Sequence, residues 1–164
     1  GGSNLALWAS RLAPFNRPEF HMCDRDNQPP ADPKYAAHIA AINARIGCQA
    51  VATQKRELES YLHHDAICEA YAQNQITITF PGPFADFDDV PSMVAQAVHG
   101  ANGGDPWGSL DDEKRRKKES KAKRLLNSGA VSQMTVARLA QTDPDNEIRG
   151  WLATITQMIA GVGE

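Results

Sequence analysis

The sequence has few cysteines and lacks several patterns that define whole classes of protein. Its three cysteines form no C-x-x-C pair, which excludes a zinc ribbon and a disulfide framework. No apolar run approaches the roughly 20 residues that cross a bilayer, and no basic segment leads into an apolar one at the start, so we expect a cytoplasmic protein with no membrane partner. Neither G-x-x-x-x-G-K-[ST] nor G-x-S-x-G occurs, which excludes a P-loop and a serine hydrolase elbow.

The composition is otherwise that of an ordinary globular domain. Hydrophobic residues make up 41% and charged residues 23% of the 164 residues, which is enough to build a core. The net charge of −3 excludes a uniformly basic nucleic-acid-binding protein but not a local basic patch. Residues 1–3, Gly-Gly-Ser with no initiator methionine, are interpreted as a cloning remnant, and we expect the natural chain to continue upstream.

Alternating strand and helix patterns predict the α/β class. Short apolar or β-branched runs bounded by turn residues predict strands at 19–23, 48–53 and 76–80. Helical spacing predicts helices at 4–12, 33–46 and 65–71, of which the second has Asp32 as its N-cap and Pro33 at its first position. Such alternation is typical of a mostly parallel sheet flanked by helices.

The composition changes near residue 100. Four glycines and a proline lie between residues 100 and 108, and every later pattern is helical. The predicted helices of this region are 87–98, 110–126, 135–140 and 145–159, of which the third has Thr135 as its N-cap. We therefore predict an α/β domain over residues 4–100 and a helical part over residues 109–164.

Two pairs of acids follow two predicted strands. Asp24 and Asp26 come directly after the first strand, where alternation would turn both carboxylates to one side, and Glu57 and Glu59 follow the second. The carboxyl ends of parallel strands meet at one edge of a sheet, so the four acids are candidates to bind Mg²⁺ or Mn²⁺ together. Such ions activate phosphodiester displacement, and Arg25 and Arg56 are candidates to contact phosphate. The alternative, that these are solvated surface acids, stays open.

A basic run follows in the predicted helix 110–126. Eight of the seventeen basic residues occupy the eleven positions 114–124. They suit a phosphate-tracking surface, although a solvated helix face is the usual role of such a run. The nucleic-acid-binding candidates are Lys114, Arg115, Arg116, Lys117 and Lys118. Lys121 and Lys123, at the edge of the run, are candidates to neutralise charge on a phosphoryl transition state.

His63-His64-Asp65 has the composition of a zinc site. Adjacent residues on a helix point apart, so we expect no single metal to bind both histidines and interpret them as residues at the start of a helix.

The string 20–27, FHMCDRDN, followed by 55–62, KRELESYL, resembles the Toprim domain of OLD-family (overcoming lysogenization defect) endonucleases. In that family an ABC-type ATPase is fused to a C-terminal Toprim nuclease. The resemblance covers about residues 18–65, with a looser likeness through residues 121–126. It implies a Toprim-like (Rossmann-like) fold, a metal-binding pair Asp24 and Asp26, a later acidic motif with Glu57 and Glu59, and a lysine that maps to Lys123, with Lys121 second.

The resemblance also implies a function. It predicts an endonuclease that hydrolyses DNA phosphodiester bonds with Mg²⁺ or Mn²⁺ and is linked to an ATPase domain in the same natural chain. A homodimer is one option, and antiphage defence or DNA repair is the implied setting. The family's first motif, a glutamate at the end of an earlier strand, has no counterpart here, because Glu19 lies at the wrong end of its strand. We therefore expect the sequence to begin after the first strand of the fold. An RNA (tRNA) nuclease and a non-catalytic module that binds nucleic acid or the ATPase are the alternatives.

Overall fold

The computed structural model describes residues 4–15 and 17–161, and the interpretation of residues 1–3 as a cloning remnant lies outside them. The chain divides into two compact units. Unit 1 consists of residues 1–58 and 145–164, and unit 2 of residues 59–144. The predicted boundary between residues 100 and 109 lies within unit 2. No helix of the described residues combines the length and the apolar character needed to cross a membrane.

Unit 1 is built on a β-α-β motif. Strands β1 (Glu19–Cys23) and β2 (Cys48–Ala52) are parallel, with Glu19 opposite Cys48 and Cys23 opposite Ala52. Helix α2 (Ala36–Asn43) connects them, and helices α1 (Leu5–Leu12) and α7 (Glu147–Ala160) complete the unit. The mixed α/β class predicted from the sequence is therefore confirmed, with a parallel sheet of two strands among the described residues.

The core of unit 1 is formed by the two strands together with α1 and α2. Leu5 and Ala9 of α1, Ile42 of α2, and Cys23 and Ala50 of the two strands are buried together. The Asn43 side chain accepts the backbone N–H of Ala50 at 2.6 Å and donates to its carbonyl at 3.1 Å. It thereby satisfies backbone groups of β2 that no strand of the described residues pairs with, as buried backbone requires.

Helix α2 is shorter than the prediction. It begins after Tyr35, which makes no side-chain capping bond, so the assignment of Asp32 as N-cap is wrong. The intervening residues form turns instead, and the Asp32 carbonyl accepts a bond from the Asn27 side chain at 2.9 Å. Gly47, which has a φ of +72°, turns the chain into β2, and only glycine adopts that φ readily.

Unit 2 is helical. A 3₁₀ helix (Leu58–Tyr61) begins at the end of unit 1 and leads into α3 (His64–Gln73), which is followed by α4 (Val90–Ala101), α5 (Asp112–Leu125) and α6 (Val136–Thr142). Ile67, Val90, Val94 and Leu126 are fully buried in its core. Helix α5 continues into a π-helical segment, Leu126–Ala130, before α6.

The prediction of a third strand at residues 76–80 is wrong. This segment is extended and its side chains alternate between the core and solvent, with Ile78 buried and Thr77 and Thr79 exposed. No strand of the described residues pairs with it. The period-2 pattern was a correct signal of an extended chain, but a strand also requires a neighbour to hydrogen-bond.

Candidate functional site

In unit 1 the two acidic segments that follow the strands are hydrogen-bonded to each other. The backbone N–H of Asp26 donates to the carbonyl of Arg56 at 2.9 Å, and the N–H of Leu58 donates to Oδ1 of Asp24 at 3.3 Å. The carboxylates of Asp24 and Asp26 are half-buried, and Glu57, between the two bonded residues Arg56 and Leu58, is only 6% exposed. Three of the four predicted metal ligands therefore lie on two joined segments.

Thr53, which the sequence analysis did not single out, holds these segments together. Its side chain is fully buried, and its Oγ1 accepts the backbone N–H of Arg25 at 2.9 Å while donating to the carbonyl of Lys55 at 2.7 Å. The backbone N–H of Thr53 donates to the Cys23 carbonyl at 3.0 Å, which extends the hydrogen bonds between β1 and β2 by one residue. A lone threonine after a strand carries no sequence signal that separates it from an ordinary strand residue.

The reason predicted for the convergence of the aspartates is wrong. β1 ends at Cys23, so Asp24 and Asp26 lie in a turn, where strand alternation no longer sets the direction of side chains. Asp26 has a φ of +59°, a left-handed conformation that Asp tolerates better than most residues. Its carboxylate pairs with Lys34 Nζ at 3.1 Å, and a metal at Asp26 would compete with that ammonium.

The charges of this turn affect its neighbours. Burial, and then the nearby Asp24 and Asp26 carboxylates, raise the pKa of the Cys23 thiol to about 11. Hydrogen bonding to Asp26 raises the pKa of the Lys34 ammonium above its ordinary value. Both shifts have the direction that an anionic site imposes, because negative charge disfavours a thiolate and favours an ammonium.

The fourth predicted ligand, Glu59, lies in unit 2. Its carboxylate is 5% exposed, accepts a bond from Asn127 Nδ2 at 3.2 Å and lies 3.8 Å from Lys123 Nζ. Asn127 belongs to the π-helical segment that follows α5, and such π segments are frequent at functional sites. Of the two candidate lysines, Lys123 contacts a predicted acidic ligand, whereas Lys121 lines a cavity on the α3–α4 side of α5.

The predicted phosphate-binding cations are divided between the two units. In unit 1 the Arg25 guanidinium donates to the carbonyls of Asn27 at 3.1 Å and Ala31 at 3.2 Å, so it organises its own turn. In unit 2 the basic run occupies α5 as predicted, after an Asp111 N-cap. Lys114, Arg115 and Lys117 form surface ion pairs with acids of the first turns of the same helix, and such exposed pairs contribute little to stability.

The expectation that His63 and His64 point apart is wrong. His63 is the N-cap of α3 with an extended backbone, outside the helix, and the two imidazole rings stack with centroids 4.3 Å apart. Among the described residues, His63, His64 and Asp65 are the group of three or more possible ligands whose donor atoms all lie within 4.8 Å of one another. However, His63 Nδ1 already accepts the Asp65 N–H at 3.2 Å, and its Nε2 bonds Gln141 at 2.9 Å. Both ring nitrogens of His63 are thus already hydrogen-bonded, one as the helix cap and one to Gln141.

Glu147, the first residue of α7, is a further acid that the sequence analysis missed. Its carboxylate accepts the N–H of Gln54 at 3.0 and 3.3 Å, just beyond the end of β2 in unit 1. Nothing in the sequence links two residues 93 positions apart.

The donor set after β1 and β2 suits a hard divalent cation, because it consists of carboxylates on segments whose spacing the backbone fixes. Asp24, Asp26 and Glu57 are not within 4.8 Å of one another as a trio, so binding would draw these side chains together. Comparison with family models, with curated proteins and with solved structures found no match to this chain.

Proposed function

We propose that this protein is the Toprim-like part of a metal-dependent nuclease that hydrolyses DNA phosphodiester bonds. One observation carries the proposal: the acidic segments after two parallel strands are hydrogen-bonded to each other at the same edge of the sheet. Ligands in open α/β sheets gather at that edge. The resemblance to OLD-family endonucleases rests on the same residues and is consistent with this proposal, and it implies an ATPase domain in the natural chain.

In this proposal the three acids of unit 1 hold Mg²⁺ or Mn²⁺. The ion would polarise the scissile phosphate and lower the pKa of the attacking water. The chain's own part is to fix the acids: the Thr53 hydroxyl and the Asp26 N–H restrain the two segments. Removing the buried Thr53 hydroxyl would leave the Arg25 N–H and the Lys55 carbonyl without this partner.

Metal binding tests the proposal directly. Calorimetric titration of the 164-residue chain with Mn²⁺ is expected to give a binding heat that the double variant Asp24→Asn/Asp26→Asn loses. The control is Asp105→Asn/Asp145→Asn, which makes the same charge change at two exposed residues. An unaltered affinity in the first variant, or no heat in the wild type, would contradict the proposal.

Cleavage assays separate the substrate classes. With Mn²⁺ present, nicking of supercoiled plasmid supports the DNA nuclease, and faster cleavage of tRNA supports the RNA nuclease. The non-catalytic module has one observation in its favour, the exposed cations of α5. Salt-sensitive DNA binding without any Mn²⁺ heat would support that module and contradict the nuclease.

A further inference from the structure

Unit 2 contains a cavity of about 600 Å³ that is distinct from the acidic residues described above. Helices α3, α4 and α5 and the start of the extended segment after α3 line it. Its apolar lining includes Tyr71, Ile76, Val98 and Leu125. A volume of this size holds a ligand as large as a nucleotide, since small-molecule sites span about 300–1,000 Å³.

One wall of the cavity is cationic. Lys118, Lys121 and Arg124 come from successive turns of α5, and no Asp or Glu is among the lining residues. Among the described residues, no carboxylate forms an ion pair with these three side chains, in contrast to Lys114, Arg115 and Lys117 earlier on the same helix. Three cations at one mouth without internal counterions favour a ligand with several negative charges.

The opposite polarity is found at the ends of the other two helices. Asn74 is the C-cap of α3 and Asn102 is the C-cap of α4, and both line the cavity. Each donates its Nδ2–H to a carbonyl of its own helix, Asn74 to Ala70 and Asn102 to Val98, which leaves Oδ1 as an acceptor. Helix C-termini carry partial negative charge, so this part of the lining favours hydrogen-bond donors and disfavours phosphate.

From this arrangement we propose that the cavity binds a nucleoside phosphate. The phosphates contact Lys118, Lys121 and Arg124, the base lies against the apolar lining, and its amino edge faces Asn74 and Asn102. The ligand is either a free nucleotide or the 5′-phosphorylated end of a single strand, because the two share this chemistry. The proposal does not depend on the metal-binding acids, since every lining residue belongs to unit 2.

The test is calorimetric titration of the full chain in EDTA, so that metal binding plays no part. The probes are ATP, inorganic tripolyphosphate and a 5′-phosphorylated single-stranded oligonucleotide beside its unphosphorylated form. The variant Lys118→Gln/Lys121→Gln/Arg124→Gln removes the cationic wall. The matched control, Lys114→Gln/Arg116→Gln/Lys117→Gln, removes two lysines and one arginine from the same helix outside the cavity.

We expect ATP or the phosphorylated oligonucleotide to bind wild type. The first variant should lose at least about ten-fold in affinity for ATP, or in preference for the phosphorylated over the unphosphorylated oligonucleotide, whereas the control should change either quantity less than about three-fold. Tighter binding of ATP indicates a free nucleotide, and a preference for the phosphorylated oligonucleotide indicates a strand end. If both variants lost the same affinity for ATP, or the same preference for the phosphorylated oligonucleotide, non-specific charge would explain the binding. If tripolyphosphate bound as tightly as ATP, the base would contribute nothing to the affinity. Either of these results, or no binding of any probe at millimolar concentration, overturns the proposal.

Discussion

Glu19 shows how a buried charge can be structural even though it lies on the strand that leads to the candidate site. Its carboxylate is 8% exposed and is bonded by the Arg45 guanidinium and, at 2.7 Å, by His21 Nε2. Burial alone would raise the pKa of Glu19, but the bonds from Arg45 and His21 outweigh burial and hold the pKa below its ordinary value of 4.5. Glu19 is therefore an ion-pair residue of unit 1, with both oxygens used.

This lowered pKa has a consequence for acid stability. A carboxyl with a depressed folded-state pKa contributes stability that is complete above 4.5 and is lost as the pH falls through the folded-state value. We expect Glu19→Gln to be less stable than wild type at pH 7, with the difference shrinking at pH 3. Urea unfolding at both pH values measures this. Glu113→Gln, at an exposed ion pair, is the control and should show little difference at either pH. A Glu19→Gln deficit that stays constant with pH would contradict the assignment.

The two candidate lysines are separated by their surroundings. Lys123 Nζ lies 3.8 Å from the buried Glu59, whereas Lys121 is exposed at the cavity. In the nuclease proposal the resemblance maps the catalytic lysine to Lys123, so Lys123→Gln should reduce plasmid nicking by at least about ten-fold, because removal of one electrostatic stabiliser commonly costs that much. Lys121→Gln should change it less than about three-fold. Initial nicking rates with Mn²⁺ check the order, and the reverse order would transfer the role to Lys121.

At the level of elements, the confirmed predictions are those that depend on local sequence signals. β1 follows from the apolar run at Glu19–Cys23, and the N-cap of α6 from Thr135, whose Oγ1 accepts the Arg138 N–H at 3.2 Å as expected. Residues 76–80 were predicted as a strand because extended chain and paired strand share a period of two. Thr53 and Glu147 were missed because their partners are 28 and 93 positions away. Long-range pairing has no local pattern.

The extended segment 76–80 gives a prediction at this scale. Ile78 is 6% exposed in the core of unit 2, and the adjacent Thr77 is exposed to solvent. Ile78→Ala should lower the free energy of unfolding by about 2–4 kcal/mol through lost burial and a residual cavity. Thr77→Ala should change it by less than about 0.5 kcal/mol, because Thr77 is exposed and no strand in the described part of the chain pairs with its segment. Urea unfolding of both variants checks this. A large effect of Thr77→Ala would point to a pairing of this segment that the fold lacks.

At the scale of the whole molecule, unit 1 is discontinuous in sequence. Unit 2 is inserted between residues 58 and 145, and the chain returns to supply α7 to unit 1. The bond from the Gln54 N–H to Glu147 Oε1 ties this returning segment to the end of β2. The helical pattern of residues 145–159 predicted that they belong with the preceding helices, because helical periodicity carries no information about which unit a helix joins.

The charge distribution of the whole chain leads to the last prediction. A net charge of −3 repels DNA at long range, yet eight of the seventeen cations lie within residues 114–124. Any DNA binding should therefore be confined to α5 and be strongly salt-dependent.

For a 20-base-pair duplex in EDTA, we expect Lys114→Gln/Arg116→Gln/Lys117→Gln to weaken binding and to reduce the slope of log K against log salt by about 2–3, since each phosphate contact contributes roughly 0.9. The control Arg11→Gln/Arg17→Gln/Arg149→Gln makes the same change in net charge at exposed positions of unit 1 and should leave that slope within about 0.5 of wild type. Fluorescence anisotropy over a range of roughly 50 to 200 mM salt measures the slopes of both variants. Equal slopes in the two variants would mean that net charge, and not the α5 surface, governs the interaction.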